Sequence, residues 1–172
     1  MPSVVKAVYL TADTAGSKRF DEFIDLVEKT ELNALVIDVQ HYNGSLAFTP
    51  RDEKLEHDSH VTRRSLDDIE ERMQKLHDSG IYVIARVVTF VVPQIASRHP
   101  ELVLKNKNGR AWRDNRGQIW LDPANPAAIE HMLRVAREVY ARGFDEVNFD
   151  YVRYPSEGPI KQIATPSKSK PA

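Results

Sequence analysis

The chain has 172 residues, of which 41% are hydrophobic and 28% charged, enough for one globular core and too few for two ordinary domains. Its formal net charge of −1 gives no general field that would attract nucleic acid or anionic lipid, and it has no cysteines for disulfides or thiolate metal sites. The N-terminus lacks an export-signal pattern, and no window approaches about 18 apolar residues. We therefore expect no nucleic-acid partner, no membrane insertion and a cytoplasmic location unless a leader has been removed.

Short β-branched runs alternate with helical stripes in the first half of the chain. Residues 4–10 and 33–39 are predicted strands. Ser17 is expected to open the helix between them, and Ser65 to cap a later helix that Gly80 closes. Each of the first two units is therefore a strand followed by a helix.

The second half continues this alternation. Residues 81–88 form the third predicted strand and residues 144–149 the fourth. Between them, Asn125 is expected to cap a helix that Gly143 stops. The core-facing stripe of this helix is expected to be Ile129, Leu133, Ala136 and Tyr140.

Strands that alternate with helices predict an α/β fold with a parallel sheet and right-handed crossovers. No glycine-rich phosphate-binding motif follows a strand, so a barrel is favoured over a doubly wound nucleotide-binding fold. A closed (β/α)8 TIM-type barrel needs about 250 residues, so the sequence predicts a partial barrel of about four βα units. The domain is expected to cover residues 1–156, and the Pro-, Ser- and Lys-rich residues 157–172 are expected to be a disordered tail.

Two acids end predicted strands, where barrels place their active sites. Asp150 lies in the stretch GFDEVNFDYVRYPS, residues 143–156, and Asp38 ends the second strand. Two carboxyl groups at one end of a barrel can act as a catalytic pair, so both acids are candidate catalytic residues, with a structural or ligand-binding role as the alternative for Asp38. The alternative is that Asp150 pairs with Arg153 or Arg86 only to hold the end of the sheet.

Arg86 lies inside an apolar strand, so it needs a carboxylate partner, either Asp38 or Asp150. Such a pair would lower the pKa of the acid. We expect all three residues at the same end of a sheet whose strands follow in sequential order.

The long loop after the third strand is basic and carries both tryptophans. Residues 98–116 contain six Lys or Arg against two acids, which suits either an anionic glycan or a solvated surface. The tryptophans could stack on a sugar or pack the loop onto the body. The candidate sugar contacts are Arg86, Trp112, Trp120, Asn148, Tyr151 and Arg153. His57 and His60 have no third ligand at a suitable spacing, so neither a metal nor another cofactor is expected.

The sequence resembles a family of bacterial barrel domains classed as glycoside hydrolases but of otherwise unknown function, distant relatives of the α-amylase-like barrels. The resemblance is carried by AVYLTADTAGSKRFDEFIDLVEKTELNALVIDV, LHDSGIYVIARVVTF, AWRDNRGQIWLDPANP and GFDEVNFDYVRYPS. It implies that Asp150 takes the place of a catalytic carboxylate and that the chain corresponds to the N-terminal half of a barrel. Residues 38–42 (DVQHY) depart from the family's Lys-Asp-Asp type of turn, and Asn148 stands where α-amylase-like enzymes have an arginine.

These features predict a glycoside hydrolase-type domain that acts on or binds carbohydrate and is weakly active or inactive alone. The alternative is a non-catalytic half-barrel that binds a glycan or a protein. Because a half-barrel leaves its first and fourth strands as open edges, a homo-oligomer through these edges is also expected.

Overall fold

The computed structural model describes residues 2–41, 43–59 and 63–164. Within these residues one parallel sheet has the order β1-β2-β3-β4, built from β1 (Ala7–Leu10), β2 (Ala34–Asp38), β3 (Tyr82–Val88) and β4 (Glu146–Asp150). The helices are α1 (Ala12–Ala15), α2 (Phe20–Glu28), α3 (Glu53–Ser59), α4 (Ile69–Asp78), α5 (Pro93–Arg98) and α6 (Pro126–Ala141), followed by a 3-10 turn at Ile160–Gln162. The chain is an α/β half-barrel, which confirms the predicted fold class. None of the helices in the described ranges has the length and apolarity needed to cross a bilayer.

The two faces of the sheet differ because successive strand residues point in opposite directions. Leu35, Ile37 and Val87 point to the outer face and belong to the main hydrophobic core. The same core contains the apolar stripes of α2, α4 and α6, so these helices cover the outer face. The residues of the inner face, among them Asp38 and Arg86, are left for the site.

The two serine caps predicted from the sequence are wrong. Helix α2 begins only at Phe20, and the hydroxyl of Ser17 instead accepts a hydrogen bond from the Arg19 amide at 3.1 Å. Helix α4 begins at Ile69, and the Ser65 hydroxyl donates to Asp13 Oδ1 at 2.6 Å. Each serine lies in a turn ahead of its helix, where its hydroxyl finds a nearer partner than the helical amides.

The predicted ends of α6 are correct. Asn125 Oδ1 accepts from the Ala127 amide at 2.9 Å, the geometry of an N-cap. Gly143, just past the helix, has φ of 99°, which a side chain would disfavour. The chain therefore turns directly from α6 into β4.

The core-facing stripe predicted for α6 is largely wrong. Ile129 and Leu133 are 42% and 40% exposed, Tyr140 is also exposed, and only Ala136 of that stripe is buried. The helix packs on the core through a neighbouring face that contains Ala128, Met132, Val135 and Val139. Helix α6 is thus apolar on two sides, and one of them has no cover within the described residues.

The connection between β3 and α6 forms its own small core. Its buried members include Phe90, Val92, Ile95, Trp112, Trp120 and Leu121. Residues 157–164, within the segment expected to be a disordered tail, pack onto this loop: Trp112 Nε1 donates to the Pro159 carbonyl at 3.1 Å, and Ile163 forms a β-bridge with Asn106. Residues 165–172 of that segment lie outside the described residues, and the predicted domain boundary after Ser156 stays a prediction.

Candidate functional site

A single guanidinium joins the two strand-end acids. Arg86 Nη1 donates to Asp38 Oδ1 at 2.7 Å, while Nη2 and Nε donate to Asp150 Oδ2 at 2.5 and 2.9 Å. The two alternative partners predicted for Arg86 are therefore both correct. Because the strands are parallel and in register, these side chains meet at the carboxyl end of the sheet.

Tyr9, from the neighbouring strand β1, completes this group. Its hydroxyl donates to Asp38 Oδ2, and its ring centroid lies 5.7 Å from the Arg86 guanidinium carbon. Burial, together with the bond to Asp38, raises the pKa of Tyr9 to about 12. We call Tyr9, Asp38, Arg86 and Asp150 the acid–arginine cluster.

Asp150 is held in its ionised form. Burial alone would raise its pKa, but the hydrogen bonds from Arg86 and from the Tyr151 amide, at 2.7 Å, together lower the pKa below its usual range. For Arg86, burial acts in the opposite direction to the two carboxylates, and the carboxylates prevail, so its pKa is raised. The cluster thus keeps the charges of Asp150 and Arg86 fixed at neutral pH.

The backbone after Asp150 is strained. Tyr151 has φ of 59°, in the left-handed region that non-glycine residues rarely adopt. This turn aims the Tyr151 amide back at Asp150 Oδ1 and brings the Tyr151 ring to the mouth of the sheet. Strain of this kind collects at functional sites, where the surrounding structure maintains it.

A cavity of about 450 Å³ opens above the cluster, within the size range of small-molecule sites. Asp150 adjoins it through Arg86 and Tyr151, both of which line it. The other lining residues are mostly polar: Tyr9, Thr11, Ala12, Asp13, Asp38, Gln40, His41, Val88, Val91, Arg116 and Gln118. A polar cavity with aromatic walls can offer hydrogen bonds to hydroxyl groups and flat faces to sugar rings.

Two aromatic rings and a second arginine lie together next to Asp150. The Arg153 guanidinium carbon lies 5.3 Å from the Trp120 ring centroid and 5.4 Å from that of Tyr151. The two rings meet edge to face with centroids 6.4 Å apart. Trp120, Tyr151 and Arg153, all predicted sugar contacts, are therefore brought together.

Trp112 and Asn148 are the remaining two predicted sugar contacts. Trp112 is 1% exposed and packs inside the loop core, so the structure does not bring it to the cavity. Asn148 faces the same side of the sheet as Arg86 and lies opposite it in the strand register. The guanidinium that reaches Asp150 comes instead from Arg86 on the adjacent strand.

Several cavity residues were not among the predicted contacts. Gln40, in the departing DVQHY turn, is buried, and its Oε1 accepts from the Val88 amide at 2.9 Å. Arg116 and Gln118 come from the loop hairpin. The basic composition of that loop was a signal for Arg116, and Tyr9 could be expected either to line the mouth or to pack, whereas nothing in the local pattern marks Gln40. Of the predicted histidine pair, His57 bonds to Asp58 and His60 lies outside the described residues.

Several known protein structures are similar to this chain. A hypothetical protein from Ruminiclostridium thermocellum is similar at a TM-score of 0.84 and 33% identity, over 95% of this chain and 84% of that chain. A noncanonic maltogenic α-amylase from Thermotoga neapolitana (TM-score 0.56, 15% identity, 84% of this chain) and α-L-fucosidase isoenzyme 2 from Paenibacillus thiaminolyticus (0.60, 16%, 88%) share the fold. The chain spans only 38% and 24% of these two enzymes.

No curated protein sequence is significantly similar to the chain. The family model "Putative glycosyl hydrolase domain", in contrast, matches residues 7–172, nearly the whole sequence. The chain therefore belongs to this glycosyl hydrolase-type domain family.

Proposed function

We propose that the domain binds a carbohydrate in the cavity above the acid–arginine cluster, with Asp150 directed at the reacting sugar carbon. The observation that carries this proposal is the ionised Asp150 at the end of β4, held by Arg86 and the Tyr151 amide. The glycosidase fold of the structural relatives and the aromatic, polar cavity support it.

The role that suits Asp150 is nucleophile or general base. Both roles need a carboxylate that is ionised at neutral pH, and the lowered pKa of Asp150 meets that need. A general acid needs the opposite, a carboxyl group that stays protonated. Asp150 is therefore assigned to one half of a glycosidase pair.

Asp38 is better suited to positioning than to attack. Its Oδ1 accepts from Arg86 and its Oδ2 from Tyr9, and its side chain is 15% exposed against 42% for Asp150. Because Asp38 is the less exposed of the two acids and is bonded on both oxygens by side chains of the cluster, we propose that Asp38 fixes the Arg86 guanidinium.

The presence of a proton-donating carboxyl group would distinguish a glycoside hydrolase from a module that only binds sugar. Asp13, Asp38 and Asp150 lie at or beside the cavity, and each makes an ion pair with an arginine. Among the described residues none of these carboxylates has the apolar surroundings that keep an acid protonated. This favours weak hydrolysis by residues 1–172, and a sugar-binding module without turnover is the second candidate function.

The test is Asp150→Asn. We expect sugar binding to fall by about tenfold or more, because a charge-assisted hydrogen bond is lost, and any hydrolysis to disappear. The free energy of unfolding should change by no more than about 1 kcal/mol, since Arg86 keeps Asp38. Calorimetric titration and hydrolysis assays with a panel of neutral and acidic oligosaccharides measure the first two effects, and urea unfolding the third.

Asp25→Asn is the matched control, because Asp25 is a surface acid on α2 paired with Lys29. It should leave binding unchanged. A loss of several kcal/mol in Asp150→Asn with unchanged binding would assign Asp150 to holding the sheet end instead.

A further inference from the structure

Arg153 is pre-organised beside the cavity. Its guanidinium is stacked against Trp120 and Tyr151, and Nη1 donates to Ser156 Oγ at 2.7 Å and to the Tyr154 carbonyl at 3.3 Å. It makes no ion pair with any acid in the described part of the chain. Its charge also helps to lower the pKa of Asp150, after the contributions of burial, Arg86 and the Tyr151 amide, so it lies within the field of the candidate reacting carboxylate.

Arg116 shares a small cavity with Arg153. It lines the main cavity and also a smaller one of about 100 Å³ that Trp120, Tyr151 and Arg153 share. Its backbone is fixed, because the Arg116 amide donates to Asp114 Oδ1 at 2.9 Å. No carboxylate of residues 2–41, 43–59 or 63–164 pairs with its side chain, which is exposed. We call Arg116 and Arg153 the arginine rim.

The acids nearest the arginine rim do not neutralise it. Asp114 uses Oδ1 for the amides of Arg116 and Gln118 and Oδ2 for Trp120 Nε1, at 2.9 to 3.0 Å. Glu157 also lines the small cavity but makes no ion pair in the described structure. In contrast, Arg86 is fully occupied by Asp38 and Asp150. Two guanidinium groups are thus left facing a space next to the sugar cavity.

We propose that the arginine rim binds an anionic substituent, a carboxylate or a sulfate ester, of the sugar bound above Asp150. This inference rests on the proposed function and names its substrate class as acidic glycans. Guanidinium groups present a planar fork that matches such oxyanions, and stacking on aromatic rings holds the fork in place before the ligand arrives. The exposed ring of Tyr151 also offers aromatic surface beside the sugar, whereas Trp120 is buried and holds the Arg153 guanidinium from behind.

The test uses the full chain labelled with ¹⁵N, in which the Trp120 indole N–H bonded to Asp114 reports on the rim. The probes are methyl β-glucuronide, its neutral counterpart methyl β-glucoside, and glucose 6-sulfate. We expect at least one anionic sugar to bind at least about tenfold more tightly than the glucoside, as for a charge-assisted hydrogen bond. Whichever anionic sugar binds tightly identifies the source of the charge.

Arg116→Gln and Arg153→Gln should each remove most of this preference, measured as the ratio of the dissociation constants of the glucoside and the anionic sugar. Arg116 is exposed, so its variant keeps the test valid if Arg153→Gln is poorly folded. Arg110→Gln is the matched control, since it removes the same charge from the same loop at a position that lines neither cavity. Glu157→Gln should strengthen anionic binding by removing a competing carboxylate.

If the neutral and anionic sugars bind equally and Arg116→Gln changes nothing, the rim proposal is overturned while the proposed sugar site stands. If none of the three sugars binds, the proposed function fails as well.

Discussion

Among single residues, Arg86 does most to lower the pKa of Asp150. A strand interior is an unusual place for a guanidinium, and here it is stabilised because two carboxylates and the Tyr9 ring surround it. Its removal would leave the Asp150 carboxylate with the Tyr151 amide as its remaining hydrogen-bond donor among the described residues. The pKa of Asp150 therefore depends on Arg86, and this dependence can be measured in Arg86 variants.

We expect Arg86→Met to raise the pKa of Asp150, because the largest of the stabilising contacts of the carboxylate is lost. With Arg86 present, the ion pair stabilises the fold fully above the ordinary aspartate pKa of about 3.9, and this contribution is lost as pH falls through the lowered value. In Arg86→Met, loss of sugar binding on acidification should begin at a higher pH. Carbon-detected NMR titration of the side-chain carboxyl measures the pKa directly.

Arg86→Lys keeps the charge but loses the forked geometry, so its shift should be smaller and in the same direction. An unchanged pKa in both variants would show that the Tyr151 amide and Arg153, and not Arg86, set the ionisation of Asp150.

Among the elements, helix α6 stands out for the polar side chains that it buries. Besides apolar residues it buries His131 and also Glu138, which accepts from the amides of Arg51 and Asp52 and from Arg142 Nε. Glu138 thus ties α6 to the segment before α3 with all its bonds satisfied. The pKa of His131 is lowered to about 4, mainly by burial. The negative charge of Asp58 acts in the opposite direction, whereas His99, Lys54 and Arg134 lower the pKa further.

His131 should make the fold sensitive to acid. Because its pKa is about 4 when folded and 6.5 normally, the unfolded chain takes up the proton first as pH falls, so stability is lost between these values. One proton over this range is worth about 3 kcal/mol, at about 1.4 kcal/mol per pH unit. Urea unfolding at pH 7 and pH 4.5 measures the loss, and His131→Leu should reduce it.

His77→Gln is the control for this prediction, since His77 pairs with Asp145 and with none of the groups that act on His131. It should keep the pH dependence of the parent chain. If His131→Leu keeps it too, other groups account for acid sensitivity.

At the scale of the whole molecule, the described sheet has two open edges, β1 and β4. Strand β4 has no neighbour beyond it in the described sheet, and next to it lies a cavity of about 430 Å³ lined mainly by apolar residues. Exposed members of this lining include Ile129, Leu133, Phe149, Val152 and Tyr154. An open edge beside an apolar face is a common template for association.

We propose that two copies of residues 1–172 associate through this apolar cavity and the β4 edge. Leu133→Glu should shift the chain towards monomer, because it places a charge in the contact. Leu26→Glu is the matched control, since Leu26 has nearly the same exposure but lies on α2, outside the cavity. Analytical ultracentrifugation measures both, and a monomeric parent chain at high concentration would contradict the proposal.

The sequence by itself determined the alternation of strands and helices, the parallel order of the sheet, and the placement of Asp38 and Asp150 at strand ends. These follow from local periodicity, since a repeat of two or of 3.6 residues is visible in a short stretch of chain. The need of Arg86 for a carboxylate was also visible, because a charge within an apolar run requires a partner.

Only the tertiary structure decided how these parts combine. The strand register showed that Arg86 binds both acids and faces Asn148, and it brought in Tyr9 from another strand. Packing buried both tryptophans and left only Trp120 at the edge of the small cavity, and it decided which apolar face of α6 meets the core. Such choices depend on residues distant in sequence, and two apolar faces on one helix have the same local period, so neither could be read from the neighbours of a residue along the chain.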